Sequence, residues 1–473
     1  MAVTQDELYA ALDLELSWSE RALPEHVRTK HVHRLHPYHG KFIPQLVEVL
    51  LDRYFTRGSH VLDPFAGSGT ALVQALESGL DATGVELAAF NCLLIGVKTA
   101  AYDVESLGGE LRDVHSRLDS LGAKRRAASA YVRQWYAPGA LAELLAFRDL
   151  IGEYEHRDVL RVVLSRAARS ARRAAHFDLE APREPQTGEY WCHKHKRTCR
   201  PVESAAGFLR RYTLDTLRRI EEFAAVRDDG CAATVVHADS RDVEYESVFD
   251  GVVTSPPYPG VIDYHEQHRY AYELLGLDDR RELELGAAEA GTARAAIDAY
   301  VAGIARALAN AAESVVPGGP LCIVVNDRRD LYPSILDRAG LQLVERLRRH
   351  VNRRTGRRAG EYFEDVLVVR HLARRSEHRE RDRQVVAGAL LPQPRRGEVD
   401  GDAAARELEL GRRDAAAHAL TRLGARTVGQ ADDHERRRAV PDVGLDLDAP
   451  RLEADERMRD GACEHASTLR GDV

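Results

Sequence analysis

Between residues 31 and 99 the hydrophobic pattern changes character several times. "KFIPQLVEVLLDRYF" reads as a helix, "HVLDPF" as a strand, "AGSG" as a glycine loop, "TALVQALESG" as a second helix and "DATGVEL" as a second strand. That order opens a doubly wound α/β domain. A second block of the same kind starts near Thr234 with "TVVHADS" and runs through "FDGVVTSPPY", "GPLCIVVND" and "EDVLVVRHL" to Leu372. From about 100 to 230 strand signals vanish and helical periodicity takes over, which predicts a helical insertion inside one catalytic fold. The expected organisation is therefore an N-terminal extension (1–30), a first core part that binds cofactor (31–99), the insertion (100–230), a second, catalytic core part (231–372) and a tail (373–473). Beyond Leu372 there is no Phe, Trp, Tyr, Ile or Lys, so little apolar surface opposes the entropy of ordering, and disorder is expected there.

Composition narrows the class. With 473 residues, 44% hydrophobic and 30% charged, the chain has the balance of a soluble globular protein with a large core. It contains no apolar run long enough for a membrane span, and its first residues lack the basic and apolar regions of a secretion signal. Six scattered cysteines fit a reducing compartment, so a cytoplasmic location is expected. A net charge of −8 would discourage a nucleic-acid partner, but the basic residues are clustered. In "LRVVLSRAARSARR" the residues Leu160, Val163, Leu164, Ala167, Ala168 and Ala171 share one helical face, and Arg161, Arg166, Arg169, Arg172 and Arg173 fall on the other, with no acid in the arc. "RLRRHVNRRTGRRAG" carries seven arginines from Arg346 to Arg358, again without an acid. Each cluster is either a solvated face or a clamp on phosphates.

The candidate chemistry begins at "VLDPFAGSGTALVQA". A strand ends at Asp63, Gly67 and Gly69 allow a ligand to approach the backbone, and a helix N-terminus follows with free N–H groups. The loop has neither the Lys-Ser/Thr ending of a P-loop nor a G-x-G-x-x-G, which counts against a nucleoside triphosphate or NAD. The next strand ends at Glu86, where an acid can accept hydrogen bonds from both hydroxyls of a ribose. Asp63 suits a ligand that carries an ammonium group. S-adenosylmethionine has an ammonium, a carboxylate, a ribose and an adenine.

"DPFAGSGT" with a downstream "TSPPY" resembles the S-adenosylmethionine-dependent DNA methyltransferases that modify an exocyclic amine, cytosine N4 or adenine N6. The matched blocks cover roughly 31–99 and 234–372. The resemblance implies a Rossmann-like sheet and a cofactor site at Asp63, Pro64, Phe65, Gly67, Gly69, Thr70 and Glu86. "HPYHGKFIPQL" looks like the family's segment that closes over the cofactor, with Lys41, Phe42 and Pro44 nearest it, and Asp239 in "VVHADSRD" falls near the adenine. At the "SPPY" corner the implied catalytic set is Ser255, Pro256, Pro257 and Tyr258. The serine hydroxyl and a carbonyl at the proline corner accept the two N–H bonds of the amine, and Tyr258 offers a stacking face to an extruded base. The resemblance implies that a serine in first position goes more often with cytosine N4 and an aspartate with adenine N6, so cytosine N4 is the expectation and adenine N6 the alternative. An RNA or tRNA base methyltransferase, and a DNA-binding protein that keeps the cofactor fold without activity, are the other readings. DNA is the expected partner, with a cognate restriction endonuclease as a further one.

Phosphate contacts are expected from Arg166, Arg169 and Arg173, from Lys194, Lys196 and Arg197 in "YWCHKHKRTC", and from Arg353, Arg354 and Arg357. That loop also holds Cys192, His193, His195 and Cys199. Zinc sites usually join two such pairs, and no second pair follows nearby, so the expectation is a basic loop without a metal.

Overall fold

The computed structural model describes residues 13–19, 21–38, 42–120, 126–179, 182–351 and 363–371. Seven strands form the main sheet: β1 (His60–Asp63), β2 (Asp81–Glu86), β5 (Ala233–His237), β6 (Gly251–Thr254), β7 (Leu321–Val325), β8 (Leu341–His350) and β9 (Phe363–His371). Their order is β5-β2-β1-β6-β7-β9-β8; β9 runs antiparallel to β7 and β8, and the other pairs are parallel. β3 (Tyr190–Cys192) and β4 (Arg197–Cys199) make a separate antiparallel hairpin.

Both faces of the sheet are apolar, so its strands are apolar runs and the two faces draw on alternate residues. Val61, Val253, Cys322, Val324, Val366 and Val368 face one layer, where they meet Leu46, Val47 and Leu50 of α1 (Pro44–Tyr54) and Leu72 and Ala75 of α2 (Thr70–Ser78). Leu62, Val252, Leu321, Ile323, Leu367 and Val369 face the other. This alternation explains why the doubly wound sheet expected from the sequence is found.

The insertion shares one core with α2 and the helix that follows β2. After α3 (Ala89–Thr99) come α4 (Val104–Ser120), α5 (Ala130–Trp135), α6 (Pro138–Leu150), α7 (Arg157–Ala171) and α8 (Ala206–Ala224). Leu107, Trp135, Leu144, Phe147, Leu160, Val163, Leu209 and Phe223 are buried together there against Phe90 and Leu94 of α3. The β3–β4 hairpin departs from the expected all-helical character. Its strands are three residues long, too short to leave a period in the sequence.

Two arginine clusters also depart from expectation. Arg166 is only 6% exposed; it donates to Thr216 Oγ1 at 2.7 Å, pairs with Asp215 and stacks its guanidinium 4.5 Å over the Tyr212 ring. Its neutralising acid comes from α8, 49 residues further along the chain, so no inspection of the arc alone could find it. Arg172 is buried as well, stacked 4.6 Å over Tyr270 and donating to the Leu179 carbonyl at 2.7 Å. Arg166 is thus a scaffold residue rather than a phosphate contact. In the second cluster, Arg346 and Arg349 of β8 pair with Asp365 and Glu364 of the neighbouring strand, each at 2.6 Å. Arg353, Arg354 and Arg357, Lys41 and the tail 373–473 lie outside the described residues.

Candidate active site

The chain passes from β1 outward to β2 and β5, then returns to β6 and β7 on the other side of β1. At such a reversal a crevice opens beyond the carboxyl ends of the two adjacent strands. Here it holds about 810 Å³ of space, including the part open to solvent, and is lined by Tyr38, Phe42, Phe65, Gly67, Glu86 and Ser255 among others. That is the size and the mainly apolar character of a small-molecule site.

Asp63 ends β1 just behind the crevice lining, which begins at its neighbours Pro64 and Phe65, and is 1% exposed. Its Oδ1 accepts the Thr254 hydroxyl at 2.6 Å and the Phe65 N–H at 3.1 Å, while its Oδ2 is buried without a hydrogen-bond partner. Burial pushes the carboxyl up to about 7, and those two donors pull it only part of the way back. Glu86 ends β2 across the loop. Its Oε1 accepts the Ala88 N–H at 2.7 Å, yet burial likewise raises it to about 7. Two desolvated carboxyls without a countercharge among the described residues cost stability, and a cation or a pair of hydroxyls brought between them would remove that cost.

Between the two acids runs the glycine loop. Gly67 has φ +52°, and a Cβ there would stand 2.9 Å from the Tyr38 hydroxyl oxygen. Gly69, at φ +77°, begins α2, and its missing Cβ leaves room for Ile95 at 2.9 Å. Gly67 therefore lines the crevice, whereas Gly69 serves the packing of α2 on α3. Opposite the loop, Tyr38 stacks on Tyr264 with ring centroids 5.4 Å apart and 14° between planes. The segment that carries Tyr38 is anchored by His36: Tyr270 Oη lies 3.2 Å from its Nε2, and its Nδ1 lies 3.0 Å from the Pro37 carbonyl. Burial lowers the His36 pKa, keeping the ring neutral, so Nδ1–H donates and Nε2 accepts. Glu284 holds the other ring, accepting the N–H groups of Tyr264 at 3.2 Å and His265 at 2.8 Å.

The proline corner follows β6. Ser255 donates its hydroxyl proton to the Val324 carbonyl of β7 at 3.0 Å, so the lone pairs of its Oγ remain as acceptors. Tyr300 Oη donates to the Pro257 carbonyl at 2.9 Å, which fixes the corner and takes that carbonyl out of use. Pro256 is buried beneath. Tyr258 does not line the crevice; it lies near Tyr332.

Of the residues singled out in the sequence, Phe42, Pro64, Phe65, Gly67, Thr70, Glu86, Asp239, Ser255 and Pro257 line the crevice together. Asp239 is held by the forked guanidinium of Arg241, which keeps its carboxyl below the usual range against the opposing effect of burial. Pro44 only starts α1. Tyr38, Tyr264, Ser240 and Glu284 were missed. Nothing in the sequence says that two aromatic rings 226 positions apart stack; Ser240, by contrast, follows Asp239 directly and ties its loop to Pro64. In the insertion Lys194, Lys196 and Arg197 are exposed on the hairpin, and Arg169 and Arg173 are half-buried. The hairpin's cysteines and His195 are joined by a fourth group, His176, which the sequence reading did not consider.

No family model matches the chain. The curated protein "Type II methyltransferase M.MjaII" of Methanocaldococcus jannaschii is 34% identical over 452 residues, spanning 77% of this chain and 85% of that protein. "Type II methyltransferase M.MvaI" of Kocuria varians is 20% identical over 244 residues, 48% of this chain and 53% of that one. Among solved structures, TrmN from Thermus thermophilus covers 71% of this chain and 50% of its own at 14% identity, with a TM-score of 0.27, a likeness too slight to bear on function.

Proposed function

Because this chain belongs to the Type II DNA methyltransferases, with S-adenosylmethionine as methyl donor, we propose that it methylates N4 of a cytosine extruded from duplex DNA. The donor supplies a methyl group on a positively charged sulfur. The residues present fit it: Glu86, in the crevice wall, meets the ribose hydroxyls, Gly67 admits the ligand against the backbone, and Asp63, buried just behind the lining, has a partnerless Oδ2 to offer the ammonium. Tyr38 and Phe42 cover the crevice, and Asp239 stands at the adenine end.

The observation that carries the reading is the hydrogen bond from Ser255 to Val324. An exocyclic amine is a poor nucleophile because its lone pair is delocalised into the ring. With its own proton committed to Val324, the Ser255 oxygen faces the amine as an acceptor only, and the Pro256 carbonyl accepts the second N–H. Holding both N–H bonds turns the nitrogen pyramidal and aims its lone pair at the methyl; the surplus proton then leaves to water. Alignment and exclusion of water supply the rate, with no covalent intermediate. Tyr258, outside the crevice lining, stacks on the extruded base. Lys194, Lys196 and Arg197 of the hairpin, with Arg169 and Arg173, meet DNA phosphates, and an endonuclease of the same sequence specificity is the natural partner.

Mass spectrometry of nucleosides, after the purified protein has acted on duplex DNA with isotope-labelled donor, tests this. N4-methylcytosine is expected. N6-methyladenine would preserve the amine chemistry and overturn the base; label in no nucleoside would overturn the reading.

A further inference from the structure

We propose that His176, Cys192, His195 and Cys199 form a structural zinc site that holds the basic hairpin in shape. The ligand atoms of all four lie within 4.8 Å of one another. His195 Nδ1 and Cys199 Sγ are 3.4 Å apart, and the His176 and His195 rings are 4.7 Å apart at their centroids. A tetrahedral zinc with two sulfur and two nitrogen ligands, at about 2.3 Å and 2.0–2.1 Å, sets neighbouring ligand atoms roughly 3.3–3.8 Å apart. The closest pair is already at that spacing, and the widest has to close by no more than about 1–1.5 Å.

Three further observations point the same way. His176 Nδ1 is buried with no hydrogen-bond partner, a loss for a polar atom that a metal would make good. Both cysteines are free thiols. In the hairpin register Cys199 faces Tyr190 and Cys192 faces Arg197, so the two sulfurs stand diagonally on the same face. Lys196, at φ +53°, curls the turn so that His195 returns toward Cys199.

The hairpin also has little apolar support of its own. Among the described residues from 175 to 200, Cys192 and Cys199 alone are buried, so the two three-residue strands have no apolar core. Isolated hairpins of this size are marginal in water, and small units without a core are commonly held by a metal. Four protein ligands leave no open position, which makes the site structural rather than catalytic. Two sulfurs and two imidazoles favour zinc over calcium or magnesium, and binding releases the two thiol protons to solvent. What the metal holds in place is the turn that carries Lys194, Lys196 and Arg197; only the statement that these meet DNA rests on the function proposed above.

Metal analysis of the full chain, purified under reducing conditions without chelator, tests the site independently of methylation. About one zinc per chain is expected, as for a closed structural site. The paired substitution Cys192→Ser and Cys199→Ser should abolish it, while Cys231→Ser, elsewhere in the chain, should not. Cobalt(II) loaded into the wild-type protein should show the intense visible bands of a tetrahedral site together with a sulfur-to-cobalt charge-transfer band, a reading that needs no variant to fold. Zinc below about a tenth per chain after exposure to the metal, full zinc in the paired variant, or a Cys192–Cys199 disulfide in the reduced preparation would each overturn the proposal. Failure of the base assignment would leave all these results unchanged.

Discussion

The crevice and the insertion both bury charge, and they treat it in opposite ways. At the crevice Asp63 is buried and Glu86 half-buried, with no cation paired to either among the described residues, and both carboxyls rise to about 7. In the insertion Arg166 is almost as deeply buried but meets Asp215, Thr216 and the face of Tyr212. A buried charge whose partners are all within the chain belongs to the scaffold. One whose partner is missing marks the place where a ligand completes the structure.

The largest expected effect lies at the corner that uses the crevice. Ser255→Ala removes the acceptor aimed at the amine but leaves the donor site intact, so single-turnover methylation should fall about a hundred-fold or more, as when one positioned polar group is lost from an active site. Calorimetry should find donor affinity unchanged. A wild-type rate would remove Ser255 from the mechanism.

The opposite pole is Arg166→Ala. It leaves Asp215, itself part exposed and still 3.4 Å from Arg219, short of its main partner, and should cost about 2 kcal/mol in denaturant unfolding. Donor affinity should hold. A variant that keeps its stability but binds DNA poorly would return Arg166 to the phosphate-contact reading.

A smaller and graded effect comes from pH. The folded, ligand-free protein holds the protons of Asp63 and Glu86 up to about 7, above their unfolded values of 3.8 and 4.5. Between those limits the folded state binds more protons than the unfolded state, so ligand-free stability falls as pH rises. Donor binding needs the ionised forms, so affinity should fall as pH drops below about 7, by up to tenfold per unit for each carboxyl. Thermal shift by the donor should accordingly grow as pH rises through that value. A flat profile would mean that neither carboxyl meets the ligand. The smallest effect is expected at the hairpin: replacing Lys194, Lys196 and Arg197 together by Ala should flatten the salt dependence of DNA binding by about 2 to 3 in log–log slope.

The contrast also says which parts of the molecule were legible beforehand. β1, β2, β6 and β7 announce themselves because a sheet covered on both faces needs apolar runs, and Gly67 and Glu86 sit where short-range geometry demands them. Groups joined by distant segments were not legible. Asp215 reaches Arg166 across 49 positions, and Tyr38 meets Tyr264 across 226. β8 hid as an arginine run because its acids, Glu364 and Asp365, belong to another strand. His176 stayed hidden because it precedes the hairpin that carries its three neighbours.

The central claim is that the raised carboxyls of Asp63 and Glu86 are the donor site, and Glu86→Gln tests it most directly. Gln keeps the size of the side chain and its acceptor oxygen toward Ala88, but it removes the buried ionisable group. Calorimetric titration with S-adenosylmethionine above pH 7 should show affinity at least about tenfold weaker. Over the same range the ligand-free protein should melt no lower than wild type, because the cost of ionising Glu86 has gone. Unchanged affinity, or a ligand-free protein clearly less stable than wild type, would contradict the account.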